Sequence, residues 1–369
     1  MVRVKKKAFC PNYAVLPGET LRETLEALGM TQAELAERMG RPKKTINEII
    51  TGKAAITSET ALQFERVLGA PASFWNNLER NYRETLARLK EERALLRQEE
   101  WLQSLPISVL VKEGWLPKKD SNLEKLQSLL NFFGVAGVKE WKARWLNTQT
   151  AYHKSAAFRS NPAAVAAWLR KGEIESAKLK CKPYNAGAFR DSLNRMRQLT
   201  VESPSAFWLE IGTICSAVGV AVVFVPELPD THVYGATRWL NPNKALIQLS
   251  LRGKSDDYLW FAFFHEAAHI LLHGKKEIFI EHEDDKVYGN TTSEKEKEAN
   301  QFAQDFLIPP KEYQTFIQGG YFSLPAICNF AQNLRIAPGI VAGRLQHDHF
   351  IPFSQGNTLK RRLRLSASS

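Results

Sequence analysis

The residues with the clearest chemical potential are His265-Glu266-Ala267-Ala268-His269. They lie in an apolar run, Tyr258 to Leu272, otherwise free of charge after Asp257. His265 and His269 are one helical turn apart, so both imidazoles leave one face and can bind one metal ion. Glu266 adjoins the first of them and reaches a water polarised by that ion. A His-x-x-x-His pair with this Glu is the zinc-peptidase signature, in which the metal acidifies water and the carboxylate takes its proton. Two core histidines satisfied by backbone would be the plain alternative. It would also bury a carboxylate with no evident partner.

A closed set of ligands needs a third side chain. His273 continues the spacing but lies eight residues from His265, about 12 Å along a helix axis, so three such imidazoles cannot converge on one ion. Gly274 and Lys275-Lys276 follow it, and it reads as a C-terminal helix residue favoured by the dipole. The expected source is a later helix, opened by a capping box of Ser293 and Glu296 and stopped after Ile308 by Pro309-Pro310. Its apolar stripe is Ala299, Phe302, Ala303, Phe306 and Leu307, and its first turns offer Glu294, Glu296 and Glu298. Periodicity favours Glu296, within the stripe, over Glu298 on its flank.

Phe263 to His273, followed by Glu298-Ala299-Asn300-Gln301-Phe302-Ala303 and Leu307-Ile308-Pro309, resembles the ImmA/IrrE metallopeptidase family over about residues 205–350. In that family the Glu before Ala-Asn completes the zinc site. The resemblance therefore implies Zn2+ held by His265, His269 and Glu298, with Glu266 as the catalytic base, and limited proteolysis of a regulatory protein. Ala268 stands where the family commonly has Gly, which touches no ligand. Pro338 to His347 resembles the family's closing helix; His347 and His349 are assigned no role.

A second group of residues points to nucleic acid. Thr31 to Met39 opens with a capping box, Thr31 and Glu34, and turns Ala33, Leu35, Ala36 and Met39 inward. Gly40 supplies a tight turn, and Pro42 suits the first turn of a second helix, Pro42 to Ile50, which buries Ile46, Ile49 and Ile50. Arg41, Lys43, Lys44, Thr45 and Asn47 lie near its exposed N-terminal end, the end that enters a major groove first. Lys and Asn there can contact base edges or phosphates, while Gln32 can hold the backbone. The stretches Leu16 to Glu19, Leu28 to Ala36, Ile46 to Lys53 and Ala70 to Leu78 resemble the HigA-type branch of the Xre-like helix-turn-helix family over residues 14 to about 82. That resemblance implies a five-helix domain binding double-stranded operator DNA, usually as a homodimer. Arg41-Pro42-Lys43 departs from the family's small apolar residue and Ser, which bears on base preference and not on fold.

Between these segments, Leu78 to about Ser104 is highly charged, lacks Pro and Gly, and places Leu78, Tyr82, Leu86 and Leu89 at helical spacing, so a long linking helix is expected. Residues 105–217 read as helices broken by prolines, with Trp115, Trp141, Trp145, Trp168 and Trp208 filling cores. Val218–Val225, His232–Leu240 and Ala245–Leu251 read as strands, with Asn241-Pro242-Asn243 as the turn between the last two. The fold class expected is mainly α with a small antiparallel sheet, α+β. Its parts are a helix-turn-helix domain in residues 1–82, a helical middle region in 83–204 and a zincin-like domain in 205–369.

The net charge of +11 concentrates in residues 101–217, whereas 218–369 is balanced. A basic surface attracts phosphate backbones but is also common among soluble proteins. The four cysteines form no Cys-x-x-Cys pair and read as free thiols of a reducing compartment. No apolar signal stretch follows the basic start, and the longest apolar run, Ile214 to Val225, is short of the about 20 residues of a membrane span. A cytoplasmic protein with no membrane partner is expected.

Two functions fit these features. One is an enzyme that cleaves a regulatory protein, with Ala245–Leu251 pairing with an extended substrate. The other is a repressor or antitoxin with a toxin partner, whose zinc domain is a non-catalytic sensor or scaffold.

Overall fold

Short amphipathic segments in the first hundred residues fold as five helices: α1 Pro17–Ala27, α2 Gln32–Met39, α3 Lys43–Ile50, α4 Ser58–Leu68 and α5 Ala72–Leu96. The structure, a computed structural model, describes residues 13–146, 160–275, 277–282 and 294–364. Thr31 caps α2 by accepting a hydrogen bond from Glu34 N at 3.1 Å, while the Glu34 side chain pairs with Arg38 at 2.5 Å. Gly40 leaves α2 in the left-handed conformation, φ 63°, which lets α3 begin three residues later. Pro42 is the N-cap of α3 and not its first residue. Ala33, expected to face inward, is exposed; α2 buries Leu35, Ala36 and Met39. Gly18 lets α1 touch the end of α3, since a Cβ there would sit 2.2 Å from Ile50 O. Leu21, Leu25, Leu35, Ile46, Ile49, Phe64 and Trp75 complete this core. The expected linking helix and the closing helix of the bundle are one 25-residue helix, α5.

The chain divides into two compact units: residues up to Glu99 with Ser121–Leu126, and Glu100–Asp120 with Gln127 onward. In the second lie α6 Glu100–Gln103, α7 Ile107–Lys112, most of α8 Asn122–Phe133, and α9 Val138–Trp141. Trp101, Phe133, Trp141 and Trp145 pack ring against ring there, with Trp101–Trp141 at 5.1 Å and Phe133–Trp145 at 5.7 Å. Trp141, Trp145 and Trp168 are buried as expected of core tryptophans, whereas Trp115 and Trp208 are half-buried.

After these come α10 Pro162–Lys178, α11 Ala186–Gln198, α12 Pro204–Ser216, β1 Val220–Phe224, β2 Val233–Asn241 and β3 Lys244–Leu249. Then follow α13 Asp256–Leu272, β4 Ile278–His282, α14 Glu294–Leu307, α15 Pro310–Gln318, α16 Leu324–Leu334 and α17 Pro338–His347. The α+β class is as read from the sequence. Ser293, expected to cap α14, lies outside the described residues.

The sheet order is β1-β3-β2-β4. β2 and β3 form the expected hairpin, with Asn241 opposite Lys244. β1 runs parallel to β3, so the sheet is mixed and not wholly antiparallel. β3 is therefore interior and paired on both sides, which corrects its expected role as a free edge for substrate. Among the described residues the edges are β1 and β4, and β4 was not among the expected strands. One face carries α10, where Trp168 Nε1 donates to Val225 O at 3.1 Å and Gln248 Nε2 donates to Trp168 O at 2.7 Å. The other face carries α13, whose residues Leu259 to Ile270 are almost wholly buried.

Candidate metal centre

Helix α13 is held at both ends. Its first residue, Asp256, is 0% exposed and accepts hydrogen bonds from Arg361 Nε at 2.7 Å and Arg361 N at 3.0 Å. Asp257 pairs with Lys360 Nζ at 2.7 Å. Beyond its last turn, Lys275 Nζ lies 4.3 Å from the centre of the Trp239 ring. Between these anchors the helix presents His265, Glu266 and His269, each at most 1% exposed.

Helix α14 approaches α13 through Ala299 and Ala303, both fully buried. Small residues bring the axes close, and Phe264 stacks on Phe306 at 5.1 Å beside them. Glu296 lies on the same face, three residues before Ala299. Its Oε2 is 3.1 Å from His265 Nε2 and 3.5 Å from His269 Nε2, and the two Nε2 atoms are 3.0 Å apart. Ligand atoms about 2.0–2.1 Å from a tetrahedral zinc ion stand about 3.3 Å from one another, so this triangle fits that ion without rearrangement. Among the described residues, His265, His269 and Glu296 are the group able to hold a metal.

This corrects the third position. Glu298, the residue implied by the family resemblance, has a 62% exposed side chain and bonds His273 Nε2 at 3.0 Å. Two residues turn the helix by about 200°, so Glu296 and Glu298 cannot both face the histidines.

The outer nitrogens are also occupied. His265 Nδ1 donates to Asn300 Oδ1 at 2.9 Å, which turns its Nε2 toward the position a metal would take. His269 Nδ1 lies 2.9 Å from His273 Nδ1, and Phe279 of β4 stacks on the His269 ring at 3.9 Å. Asn300 escaped the sequence reading, although it stands one turn beyond Glu296 on the same face.

Glu266 is 0% exposed. Thr237 Oγ1 gives its proton to the Glu266 backbone O at 3.1 Å, and neither carboxylate oxygen meets a donor among the described residues. Burial raises the Glu266 pKa well above the carboxylate range, opposed by His265 and reinforced by Glu281 of β4. Burial also opposes a charge on His265, but Glu281, Glu296 and Glu266 together lift it to about 9. Burial pushes His269 down to about 4. Glu296 stays ionised far below its ordinary range because the two imidazoles bond it, despite burial. Three carboxylates around two imidazoles make a pocket whose charge suits a divalent cation.

In the first unit the expected DNA contacts separate into two groups. Lys43, Lys44 and Asn47 are exposed on α3, with the Lys44 side chain 84% exposed, and Gln32 and Thr45 are half-buried beside them. Arg41 is turned away from that surface. Its Nε donates to Gln63 Oε1 at 2.5 Å and its Nη2 to Glu59 Oε1 at 3.0 Å, so it ties the turn to α4.

A helix-turn-helix family model matches residues 21–75, and the IrrE N-terminal-like domain matches residues 215–345. By these matches the chain carries a helix-turn-helix domain and an IrrE N-terminal-like domain. The HTH-type transcriptional regulator YddM of Escherichia coli is 35% identical over 63 residues, which are 17% of this chain and 67% of that protein. Antitoxin HigA-1 of Vibrio cholerae is 36% identical over 63 residues, 17% of this chain and 59% of that antitoxin. A solved structure of the Pseudomonas aeruginosa antitoxin HigA with its promoter is 28% identical, with a TM-score of 0.22 over 22% of this chain and 90% of that one. Each of these three proteins matches about a fifth of this chain. Among the described residues no helix is long and apolar enough to cross a membrane.

Proposed function

We propose that this DNA-binding regulator, antitoxin-like in its first unit, carries a zinc-dependent endopeptidase that cleaves a regulatory protein. In this reading residues 1–82 bind operator DNA as a homodimer, 83–204 connect, and 205–369 hold the peptidase. The observation that carries it is the convergence of His265 Nε2, His269 Nε2 and Glu296 Oε2 beside the buried carboxylate of Glu266.

A bound zinc ion would supply Lewis acidity to a water and to the scissile carbonyl. Glu266 takes the proton of the attacking water and returns it to the leaving amine. Its burial beside the two imidazoles suits a group that takes a proton from that water and gives it up again. His265 and His269 keep their Nε2 atoms directed at one point because their Nδ1 atoms are engaged elsewhere. The edge strand β4, next to Phe279 and His269, is the place for an extended substrate backbone to pair.

On the DNA side, α3 places Lys43, Lys44 and Asn47 where a groove would meet them, with Gln32 and Thr45 in support. Arg41 acts there as a brace between the turn and α4.

The test uses purified full-length protein and its Glu266→Gln variant, each loaded with one equivalent of Zn2+. They are incubated with the products of the neighbouring genes, including any toxin. Wild type is expected to cleave one of them, and the variant to keep its zinc and lose about 10²-fold or more in rate. Equal cleavage by both removes Glu266 from the mechanism. Operator binding with zinc retained and nothing cleaved leaves a regulator with a sensor or scaffold domain.

A further inference from the structure

We propose that His273 and Glu298 form an outer pair that fixes the proton of His269 on Nδ1 and so presents its Nε2 lone pair to the metal. The inference rests on the metal-centre reading above and assigns two residues that stand outside the ligand set. His273 Nδ1 is 2.9 Å from His269 Nδ1, and His273 Nε2 is 3.0 Å from Glu298 Oε2. The His273 side chain is 3% exposed, although it stands just past the last turn of α13.

Proton order along this chain follows from what each group is able to do. An ionised carboxylate only accepts, so His273 Nε2 carries a proton and donates it to Glu298. Of the two facing Nδ1 atoms one donates and the other accepts, and in the proposed order His273 Nδ1 accepts. The facing His269 Nδ1 must then donate, and its Nε2 is left with a lone pair. His265 Nδ1 is held by a shorter route, through Asn300. The ring of Phe279, 3.9 Å from His269 and 5.2 Å from His273, holds both imidazoles in place. The surface carboxylate thus acts on the metal from one imidazole away. Outer partners of metal-binding histidines fix ring orientation and tautomer in this way, and their loss costs about 10–100-fold in metal affinity.

The test measures the Zn2+ dissociation constant of full-length protein by competition with a chromogenic chelator. Glu298→Ala and His273→Phe are each expected to weaken binding about 10–100-fold. The double variant is expected to be no weaker than His273→Phe alone, because the two act as one unit. Glu298→Gln keeps an acceptor and is expected to lose less than Glu298→Ala. Glu294→Ala, an exposed change on the same helix, serves as the control and is expected to have no effect. Glu298 is largely exposed, so its variants fold whatever the fate of His273→Phe. Independently, 15N–1H spectra of the metal-free protein are expected to show His269 protonated on Nδ1, with the Nε2–H form appearing in Glu298→Ala. Unchanged affinity and tautomer in Glu298→Ala would overturn the pair while leaving the metal centre standing. A wild type that binds no zinc defeats the metal centre, and the tautomer spectra then decide the pair by themselves.

Discussion

The carboxylate of Glu266 lies against the α-carbon of Gly235: a Cβ built on Gly235 would meet Glu266 Oε1 at 2.6 Å and its Cγ at 2.9 Å. The central strand β2 is bare of side chain at the one point where α13 lowers a carboxylate onto it. Gly235→Ala is therefore expected to push Glu266 aside and to destabilise the second unit by about 1–3 kcal/mol, as overpacking does. Thermal unfolding reads the stability, and zinc titration is expected to change less than in a variant of His265, His269 or Glu296, because the added Cβ meets Glu266 and none of these three. A variant as stable and as active as wild type would show that the carboxylate does not need that space.

The exposed lysines of α3 carry the electrostatic part of DNA binding in the proposed function. Lys43→Ala combined with Lys44→Ala is expected to weaken operator binding and to lower the slope of log K against log salt by about 2, near 0.9 for each phosphate no longer neutralised. Arg41→Ala is expected to leave that slope alone and to lower the melting temperature, since its guanidinium bonds Gln63 and Glu59. Fluorescence anisotropy over a salt series separates the two effects.

Asp348 accepts hydrogen bonds from Tyr313 Oη at 2.7 Å, Arg344 Nε at 2.6 Å and His347 Nδ1 at 2.8 Å. Burial works against its charge, yet these partners hold its pKa far below the ordinary carboxylate value. A depressed folded-state pKa means that the stabilisation is fully present above the unfolded value, about 3.9, and is lost as the pH falls below it toward the folded value. Stability of the second unit is thus expected to drop on acidification below about pH 4, and Asp348→Asn to flatten that part of the profile. Urea unfolding between pH 3 and 6 makes the comparison; identical profiles would remove Asp348 from the acid response.

Arg361 binds Asp256, 0% exposed at the first turn of α13, and also donates to the carbonyl oxygens of Thr200, Val201 and Glu202. Removing one partner of a buried pair leaves the other charge without compensation. Arg361→Ala is expected to cost about 3 kcal/mol or more of stability in the second unit. Arg361→Lys is expected to recover part of it, because an ammonium cannot match the fork that reaches four groups. Denaturant melts of the two variants check the order.

Local spacing determined much of this protein without any coordinates. One turn between His265 and His269 puts both rings on one face of any helix, and Thr31, Gly40 and the isoleucines of α3 define a helix-turn-helix by the same reasoning. Interior strand placement and the choice of the carboxylate that meets the histidines are of another kind. Glu296 and Glu298 both stand in the first turns of α14, and only the close seating of Ala299 and Ala303 on α13 decides which one turns toward the histidines. β3 became an interior strand because β1 joined it in parallel, and Gly235 came to lie under Glu266 because β2 crosses beneath α13. Helix geometry is set by neighbouring residues, whereas the docking of one element on another is set by side chains far apart in the chain. The sequence therefore determined which residues can do chemistry, and packing alone decided which of them meet.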